Sequence, residues 1–292
     1  MARLPFAFYP HFLIMQNEII SWYSDNRRDL PWRQTSPWGV LVSEFMLQQT
    51  QVARVLPIWV EWMERWPTPV ALATSTRADV LRAWGNLGFP RRAVRLHETA
   101  KRITKDYEGN VPNDYEVLLT FPGIGEYTAG AITAFGFNKK SLVLDTNVRR
   151  LLSRAVDGIE SPPPHITNLE KEKSATLIPL QAAQWAAATM ELGALICTSK
   201  NPTCEKCPIK EMCSWRLKEF PKSTLLKKRS NWEGSHRQCR GIIMKSLRSS
   251  TSMTKKDLRS KWSNFSQFEA ALQSLINDGL ITKKGSKYQL ID

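Results

Sequence analysis

The stretch PNDYEVLLTFPGIGEYTAGAITAF, residues 112–135, contains two short helical patterns separated by a turn rich in glycine. Gly123 and Gly125 stand on either side of one apolar residue in that turn, and glycine tolerates backbone conformations that few other residues adopt. The second helix begins directly after the turn, so its free backbone N–H groups can bind a phosphate without reading sequence. A plain helical corner is the alternative. A dinucleotide fingerprint is excluded, because Thr128 stands where the third glycine would be.

The helical pattern extends outward from this turn over residues 11–220, and no sustained two-residue alternation interrupts it. Clusters of proline and glycine break the pattern at residues 30–39, 65–69, 108–114, 121–125 and 162–164. The segments between these breaks have the length of ordinary helices. This part of the chain is therefore predicted to be all-α.

The composition predicts a globular protein that attracts a polyanion. The chain has 292 residues, 42% of them hydrophobic, with 41 Lys and Arg against 27 Asp and Glu and a formal charge of +14. Scattered solvated lysines are the alternative reading of that charge. The apolar stretch at residues 4–15 is interrupted by proline, no run is long enough for a membrane helix, and we expect a cytoplasmic monomer associated with the nucleoid.

Four of the five cysteines fall within 17 residues in the segment CTSKNPTCEKCPIKEMC. Cys197, Cys204, Cys207 and Cys213 follow the spacing C-x6-C-x2-C-x5-C, which suits either tetrahedral zinc or a 4Fe-4S cluster. Structural zinc usually takes two separated CxxC pairs, whereas only one such pair is present here. The spacing thus favours iron-sulfur. Cys239 lies outside the set and is expected to be a small buried side chain.

Asp145 precedes an amphipathic segment, TNVRRLLSRAV, and aspartate is among the best helix N-caps. Taken alone, that position predicts a structural cap. Beyond Cys213, residues 221–235 are polar and basic and are interpreted as a linker. Residues 236–292 then predict three short helices and two strands that turn at Lys284 and Gly285, an order typical of a winged helix; a small helical bundle is the alternative.

Taken together, these motifs resemble the helix-hairpin-helix DNA glycosylases, in the branch of endonuclease III and the adenine glycosylases. The segment VSEFMLQQTQV, residues 42–52, is similar to the adenine glycosylase signature, and VLDTNVRR and LGFPRRA are similar to elements of short actinobacterial members. The resemblance covers roughly residues 16–220. It implies an all-α helix-hairpin-helix glycosylase fold with an iron-sulfur loop, followed by a small C-terminal winged-helix-like domain.

The resemblance also implies the domain division and the ligands. Residues 1–28 and 140–220 would form the iron-sulfur cluster domain, and residues 29–139 would form a six-helix domain. Residues 221–235 would be the linker, and residues 236–292 the winged-helix-like domain. Implied ligands are a 4Fe-4S cluster, a monovalent cation at the hairpin and duplex DNA that carries a mispaired adenine.

By the same resemblance, three residues would carry the chemistry. Glu44 would be the general acid that protonates the departing base, provided that burial raises its pKa. Asp145 would stabilise the sugar cation, and Tyr127 would support it from the position where glycosylases with lyase activity carry a lysine. Tyrosine cannot form a Schiff base, so the enzyme would be monofunctional. The implied DNA and base contacts are Trp32, Arg33, Gln48, Gln49, Thr50, Leu87, Phe89, Gly123 and Gly125, with Arg91 and Arg92 near phosphates.

Three departures from the family pattern keep other functions open. DTN replaces the usual DGN at residues 145–147; Ala186 and Ala187 replace side chains that help to hold adenine; and residues 236–292 stand where the family carries a larger lesion-recognition domain. A mismatch thymine or uracil DNA glycosylase is one alternative. A non-catalytic iron-sulfur protein that binds DNA through its winged segment is the other.

Overall fold

The structure is a computed structural model that describes residues 9–223 and 232–292. Contacts divide the chain into two compact units, the first made of residues 1–34, 113–115 and 125–226 and the second of residues 35–112, 116–124 and 227–292. The boundary between the units falls inside the hairpin, because residues 125–139 pack with the first unit. Residues 236–292 group with the helices of the second unit. The domain division that the resemblance implies stays a prediction.

The described part of the chain is mostly helical. Its helices, in chain order, are α1 (Tyr9–Asn26), α2 (Pro37–Leu47), α3 (Val52–Arg65), α4 (Pro69–Ala73), α5 (Arg77–Ala83), α6 (Arg91–Asp106), α7 (Tyr115–Leu119), α8 (Glu126–Ala131), α9 (Thr146–Leu152), α10 (Asn168–Thr176), α11 (Ala182–Leu195), α12 (Ser214–Leu217), α13 (His236–Arg248), α14 (Lys255–Arg259) and α15 (Phe265–Asn277). Each predicted break separates two helices, where proline and glycine cannot continue a helix. Further helix ends, such as those between α2 and α3 and between α5 and α6, were not predicted. The predicted all-α architecture is confirmed for these residues.

The core of the first unit lies where α1, α9 and α11 pack together. Met15 and Ile19 are one turn apart on α1, and their side chains meet Leu151 of α9 and Trp185 and Leu192 of α11. Apolar residues three and four positions apart share one face of a helix, so α1 buries a single stripe. Helix α11 is buried on every side from Trp185 to Thr189. Asp145 immediately precedes α9 and is thereby fixed at the edge of this core.

The core of the second unit is built on tryptophan. The ring of Trp62 meets the rings of Trp66 and Trp84 edge to face, with centroid distances of 4.8 and 5.5 Å. Such pairs stabilise a core by about 0.5–1.5 kcal/mol beyond the area that they bury. Helix α2 packs against α3 and α6, and the residues from Trp38 to Met46 are all buried.

Residues 232–292 of the second unit, here called the C-terminal segment, contain α13, α14, α15 and three strands. The strands are β1 (Met253–Thr254), β2 (Ile281–Lys284) and β3 (Lys287–Leu290), in the antiparallel order β1-β3-β2. The predicted helices and the hairpin are present. Strand β1 was not predicted, because two residues are too few to show an alternation.

Two sequence interpretations fall partly on residues outside the described ranges. They concern the start of the apolar N-terminal stretch, residues 4–8, and the middle of the linker, residues 224–231. Within residues 9–223 and 232–292, no helix combines the length and the apolar character that crossing a membrane requires.

Candidate functional site

Glu44 lies near the end of a helix that is buried on every side. Helix α2 starts after Ser36, whose hydroxyl accepts a hydrogen bond from the Gly39 amide at 3.3 Å, and proline occupies its first turn. The side chain of Glu44 is only 4% exposed, among the apolar neighbours that the sequence predicts. Burying a carboxyl group is costly, and the expected role of Glu44 as general acid stays a prediction.

A tight turn, Gln48–Thr50, follows α2. Gln49 has a positive φ of 54° and an exposed side chain, and the Gln48 side-chain amide donates to the Gly123 carbonyl at 3.3 Å. Thr50 is buried, and its hydroxyl donates to the Leu87 carbonyl, also at 3.3 Å. The turn is therefore anchored at both ends while Gln49 projects from it.

Arg92 anchors this turn, and the expectation that it lies near a DNA phosphate is wrong. Its side chain is 7% exposed, and its guanidinium donates only inward. The acceptors are the carbonyl oxygens of Phe45, Met46, Gln48, Leu87 and Gly88 and the hydroxyl of Thr50. Burial lowers the pKa of Arg92 to about 10, so the group stays charged at neutral pH. It satisfies carbonyls that the end of α2 leaves unpaired.

The residues from Gly85 to Arg92, here called the Phe89 loop, present one aromatic ring. Phe89 is 42% exposed and has a φ of 47°, next to Gly88 with a φ of 82°. Leu87 is 3% exposed, and its expected contact with DNA stays a prediction. In the described structure Phe89 is the more exposed of the two residues and the one available for stacking.

Asp145 caps α9 with a fully engaged carboxylate. One carboxylate oxygen, Oδ1, accepts hydrogen bonds from the backbone amides of Asn147 and Val148 at 2.9 and 2.7 Å. The other, Oδ2, accepts one from the Asn147 side chain at 2.8 Å. Burial nevertheless raises the pKa of Asp145, against the effect of these hydrogen bonds. The result is a carboxylate held rigidly at one place, as electrostatic stabilisation of a cation requires.

Asn147, which matches the last residue of the DGN pattern, is itself held in place. Arg150 donates to its side-chain oxygen at 2.8 Å and to the Gly193 carbonyl at 2.6 Å. Gly193 allows α11 to approach closely, since a Cβ there would lie 2.7 Å from the Asn147 carbonyl oxygen. The sequence pattern did not reveal this support of Asp145, because it depends on a residue 46 positions away.

We expect Gly193→Ala to destabilise the protein by about 1–3 kcal/mol, because a methyl group forced against backbone cannot be accommodated by a rotamer change. The melting temperature should fall by several degrees, and base release should fall with it as Asn147 shifts. Gly241→Ala is the matched control: the position lies inside α13 with open space around it, and alanine there should stabilise by about 1 kcal/mol. Equal melting temperatures for the two variants would contradict the close approach.

The hairpin turn has the geometry that its glycines suggested. Gly123 has a φ of 84°, and a Cβ there would lie 3.0 Å from a ring carbon of Phe45. Gly125 is extended, with a φ of −103°, and stands directly before α8. Only Gly123 therefore needs glycine for its backbone conformation. The amides that open α8 follow Gly125, as the sequence predicted.

Tyr127 and Ala186 belong to one apolar cluster of the first unit. Ala131, Ala134, Val143 and Ala186 form its buried part, and the half-buried Tyr127 packs against them. Val143 lies two residues before Asp145, so Tyr127 and Asp145 are attached to the same cluster. A hydrogen bond between their side chains stays a prediction.

A cavity of about 520 Å³ opens in the first unit near Arg33 and Ala187. The guanidinium of Arg33 stands over the Phe135 ring at 4.7 Å, and both residues line the cavity. Ala187 lines it as well, so the small side chain that departs from the family pattern leaves space here. Trp32, next in the chain to Arg33, is buried in a short 3-10 turn.

The four clustered cysteines line one pocket. Cys197, Cys204, Cys207 and Cys213 share it with apolar side chains such as Ile209. Burial and the nearness of the other three thiols raise the pKa of Cys207 to about 12. Within the described ranges, no three His, Cys, Asp or Glu side chains are grouped for a single metal ion.

Arg154 supports this pocket, and the sequence interpretation missed it. It is 1% exposed, donates to the Thr198 carbonyl at 2.8 Å and to the Cys197 sulfur at 3.4 Å, and stands over the Trp215 ring at 4.5 Å. A signal was present, because Arg154 falls on the buried stripe between Leu151 and Ala155. A cation beside thiolates stabilises their charged form.

Comparison with known proteins agrees with this geometry. Residues 42–174 match the model of the HhH-GPD superfamily base excision DNA repair proteins. The chain is 48% identical to an adenine DNA glycosylase of Mycolicibacterium smegmatis, covering 90% of this chain and 91% of the relative. It is 44% identical to one of Mycobacterium tuberculosis, covering 92% and 91%.

A solved structure of a thermostable thymine-DNA glycosylase is also similar, with a TM-score of 0.66 at 26% identity. The match covers 73% of this chain and 99% of that one. The fold, the capped aspartate, the hairpin and these relatives lead to one assignment. The chain belongs to the adenine DNA glycosylase family of the HhH-GPD superfamily of base excision DNA repair proteins.

Proposed function

We propose that this protein is a monofunctional glycosylase that hydrolyses the N-glycosidic bond of adenine mispaired with 8-oxoguanine or guanine in duplex DNA. The observation that carries the proposal is the Asp145 carboxylate, which three hydrogen bonds hold rigidly at the start of α9. The buried Glu44 and the mycobacterial relatives named adenine DNA glycosylase support the same reaction.

In the proposed reaction, Glu44 donates a proton to the imidazole ring of adenine as the glycosidic bond breaks. The bonding electrons leave with the base, and the deoxyribose becomes an oxocarbenium-like cation. Asp145 stabilises that cation electrostatically, because its carboxylate cannot turn away. Water adds to the sugar carbon and loses a proton, so the products are free adenine and an abasic site. Tyr127 offers no amine, so a Schiff base does not form.

DNA binding would use residues of each unit. In the second unit, Gln49 projects from its anchored turn and Phe89 presents an open ring, which suits filling and stacking once a base has been flipped. The turn at Gly123 would bind the backbone. In the first unit, the cavity beside Arg33 would take the extruded base. The formal charge of +14 favours association with a polyanion.

We further propose that the four cysteines hold a 4Fe-4S cluster, which would supply structural cross-linking of the loop rather than redox chemistry. The shared pocket and the buried Arg154 support this assignment. A monovalent cation at the hairpin, a monomeric state and a cytoplasmic location beside the nucleoid complete the proposal and rest on the resemblance.

A second candidate is a glycosylase that acts on thymine in mismatches. The cavity wall at Ala187 and the likeness to a thermostable thymine-DNA glycosylase favour it. Glu44, within EFMLQQT, argues for adenine, because an acid that protonates a purine ring is of no use for releasing thymine.

A panel of duplexes separates the candidates. We expect single-turnover release of adenine from A:8-oxoguanine and A:G, with thymine release from T:G at least about a hundredfold slower. Preferential release of thymine would establish the second candidate. Sequence-specific binding without release of any base would establish the non-catalytic alternative and exclude both enzymes.

A further inference from the structure

The C-terminal segment touches the Phe89 loop at two points on α13. The guanidinium of Arg237, at the start of the helix, stands 4.9 Å from the centroid of the Phe89 ring. Arg248, at the end of the same helix, donates to the Asn86 side-chain oxygen at 3.3 Å. One helix thus spans the loop, with a cation at each end.

A third contact comes from the end of α15. Asp278 accepts from Arg240 of α13 at 2.6 Å, and its other carboxylate oxygen lies 3.4 Å from a guanidinium nitrogen of Arg91 in the Phe89 loop. The Arg91 side chain is exposed, so solvent weakens its ion pair with Asp278. A carboxylate shared by two guanidinium groups still restricts how α13 lies against the Phe89 loop.

The loop needs such support. Phe89 is not glycine, and a left-handed backbone costs an ordinary residue roughly 1–2 kcal/mol. From the inner side, Arg92 stands 5.3 Å from the centroid of the Phe89 ring, and the Trp84 indole donates to the Gly88 carbonyl at 2.9 Å. Arg237 approaches the same ring from the C-terminal segment. Two cations therefore fix the orientation of a half-exposed aromatic ring.

The charge distribution of the segment agrees with this role. Residues 236–292 contain eleven Lys and Arg against four Asp and Glu. Helix α15 occupies the place of the recognition helix in a winged helix, yet its only charged residue is Glu269. A helix with one charged residue, an acidic one, is poorly suited to reading a DNA sequence. Helix α13, in contrast, directs Arg237 and Arg248 at the Phe89 loop.

We infer that the C-terminal segment is a positioning element for the Phe89 loop, with Arg237 as the main positioning residue. The resemblance implies that Phe89 contacts DNA, and by holding its ring the segment would sharpen the choice of the base opposite adenine. The effect on base choice rests on the proposed function, whereas the hold on the loop does not.

Hydrogen exchange in the full chain tests the hold on the loop. Arg237→Ala combined with Arg248→Ala should speed amide exchange within residues 85–92 by about fivefold to tenfold, since a cation–π contact and a hydrogen bond are lost together. Lys245→Ala is the control, because it removes one positive charge from an exposed position on the same helix. Exchange in the double variant equal to that of the control would overturn the proposal.

Base release tests the consequence for recognition. In the double variant, the ratio of single-turnover rates on A:8-oxoguanine and A:G should move toward one by about fivefold, whereas Arg237→Lys, which keeps a cation over the ring, should retain the ratio. An unchanged ratio in an active double variant would refute the role in base choice. If the wild-type chain releases adenine from no duplex, the proposed function fails and the role in base choice fails with it. The exchange experiment still decides the hold on the loop.

Discussion

Asp145→Asn and Glu44→Gln should each lower the single-turnover rate of adenine release by at least about a hundredfold while DNA affinity is retained. Asp145→Asn removes the negative charge, Glu44→Gln removes the acidic proton, and both keep the shape of the side chain. Base release on A:8-oxoguanine duplexes and fluorescence anisotropy with the same duplexes provide the two measurements. Full turnover by either variant would falsify the assignment of these residues.

Asp145→Asn should preserve the N-cap of α9, because asparagine caps a helix about as well as aspartate does. Its side-chain oxygen can still accept from the Asn147 and Val148 amides, so the cap itself is retained. The hydrogen bond from the Asn147 side chain to Oδ2 is lost together with the negative charge, because the amide nitrogen of asparagine donates instead of accepting. The melting temperature should therefore fall by only a few degrees. Asp79→Asn is the control, since it removes a charge from a half-exposed surface position and should leave the rate unchanged.

The pH dependence supplies an independent readout for Asp145. Burial raises the pKa of this carboxyl, and the anion is the form that stabilises a cation. As the pH falls through that raised pKa, the anion is lost and the wild-type rate should decline. Asp145→Asn cannot lose a proton-dependent charge, so this acidic limb should be missing from its profile. An identical acidic limb in the variant would assign the limb to another group.

Cys204→Ala should unfold the cysteine loop rather than block the chemical step. Loss of one ligand should lower the iron content and reduce the melting temperature by about 10 °C, because a structural metal site contributes several kcal/mol to folding. DNA affinity should fall, while the folded fraction should release adenine at nearly the wild-type single-turnover rate. Metal analysis, thermal melts and active-site titration measure these three effects.

Cys239→Ala is the control for that experiment. This thiol is fully buried in α13, away from the four clustered cysteines in the sequence, and its loss should cost about 1 kcal/mol without changing the iron content. Wild-type iron content and melting temperature in Cys204→Ala would contradict a cluster held by these four cysteines.

Much of the fold follows from local sequence. The helix breaks, the hairpin turn with Gly123 and the strands that flank Gly285 all lie where proline, glycine and apolar periodicity put them. The cap at Asp145 is equally local, because its carboxylate binds amides only two and three residues ahead. Interactions of this range depend on the backbone conformation of one short segment, which nearby residues already decide.

Local sequence does not predict which side chains are buried. Arg92 and Leu87 stand in a basic and an apolar context that suggested DNA contacts, yet both point inward. The carbonyls that hold Arg92 belong partly to α2, more than 40 residues earlier in the chain. Whether a side chain faces solvent depends on which distant segment packs over it, and a single sequence does not specify that neighbour.

Local sequence therefore explains the hairpin, whereas tertiary packing explains the contacts around the site. Its turn, its glycines and the start of α8 are properties of residues 112–135 alone, since they need only local backbone geometry. The close approach of Gly193 to Asn147, the inward turn of Arg92 and the contact of Arg237 with Phe89 arise only in the folded chain. Each joins residues that only tertiary packing brings within a few ångströms.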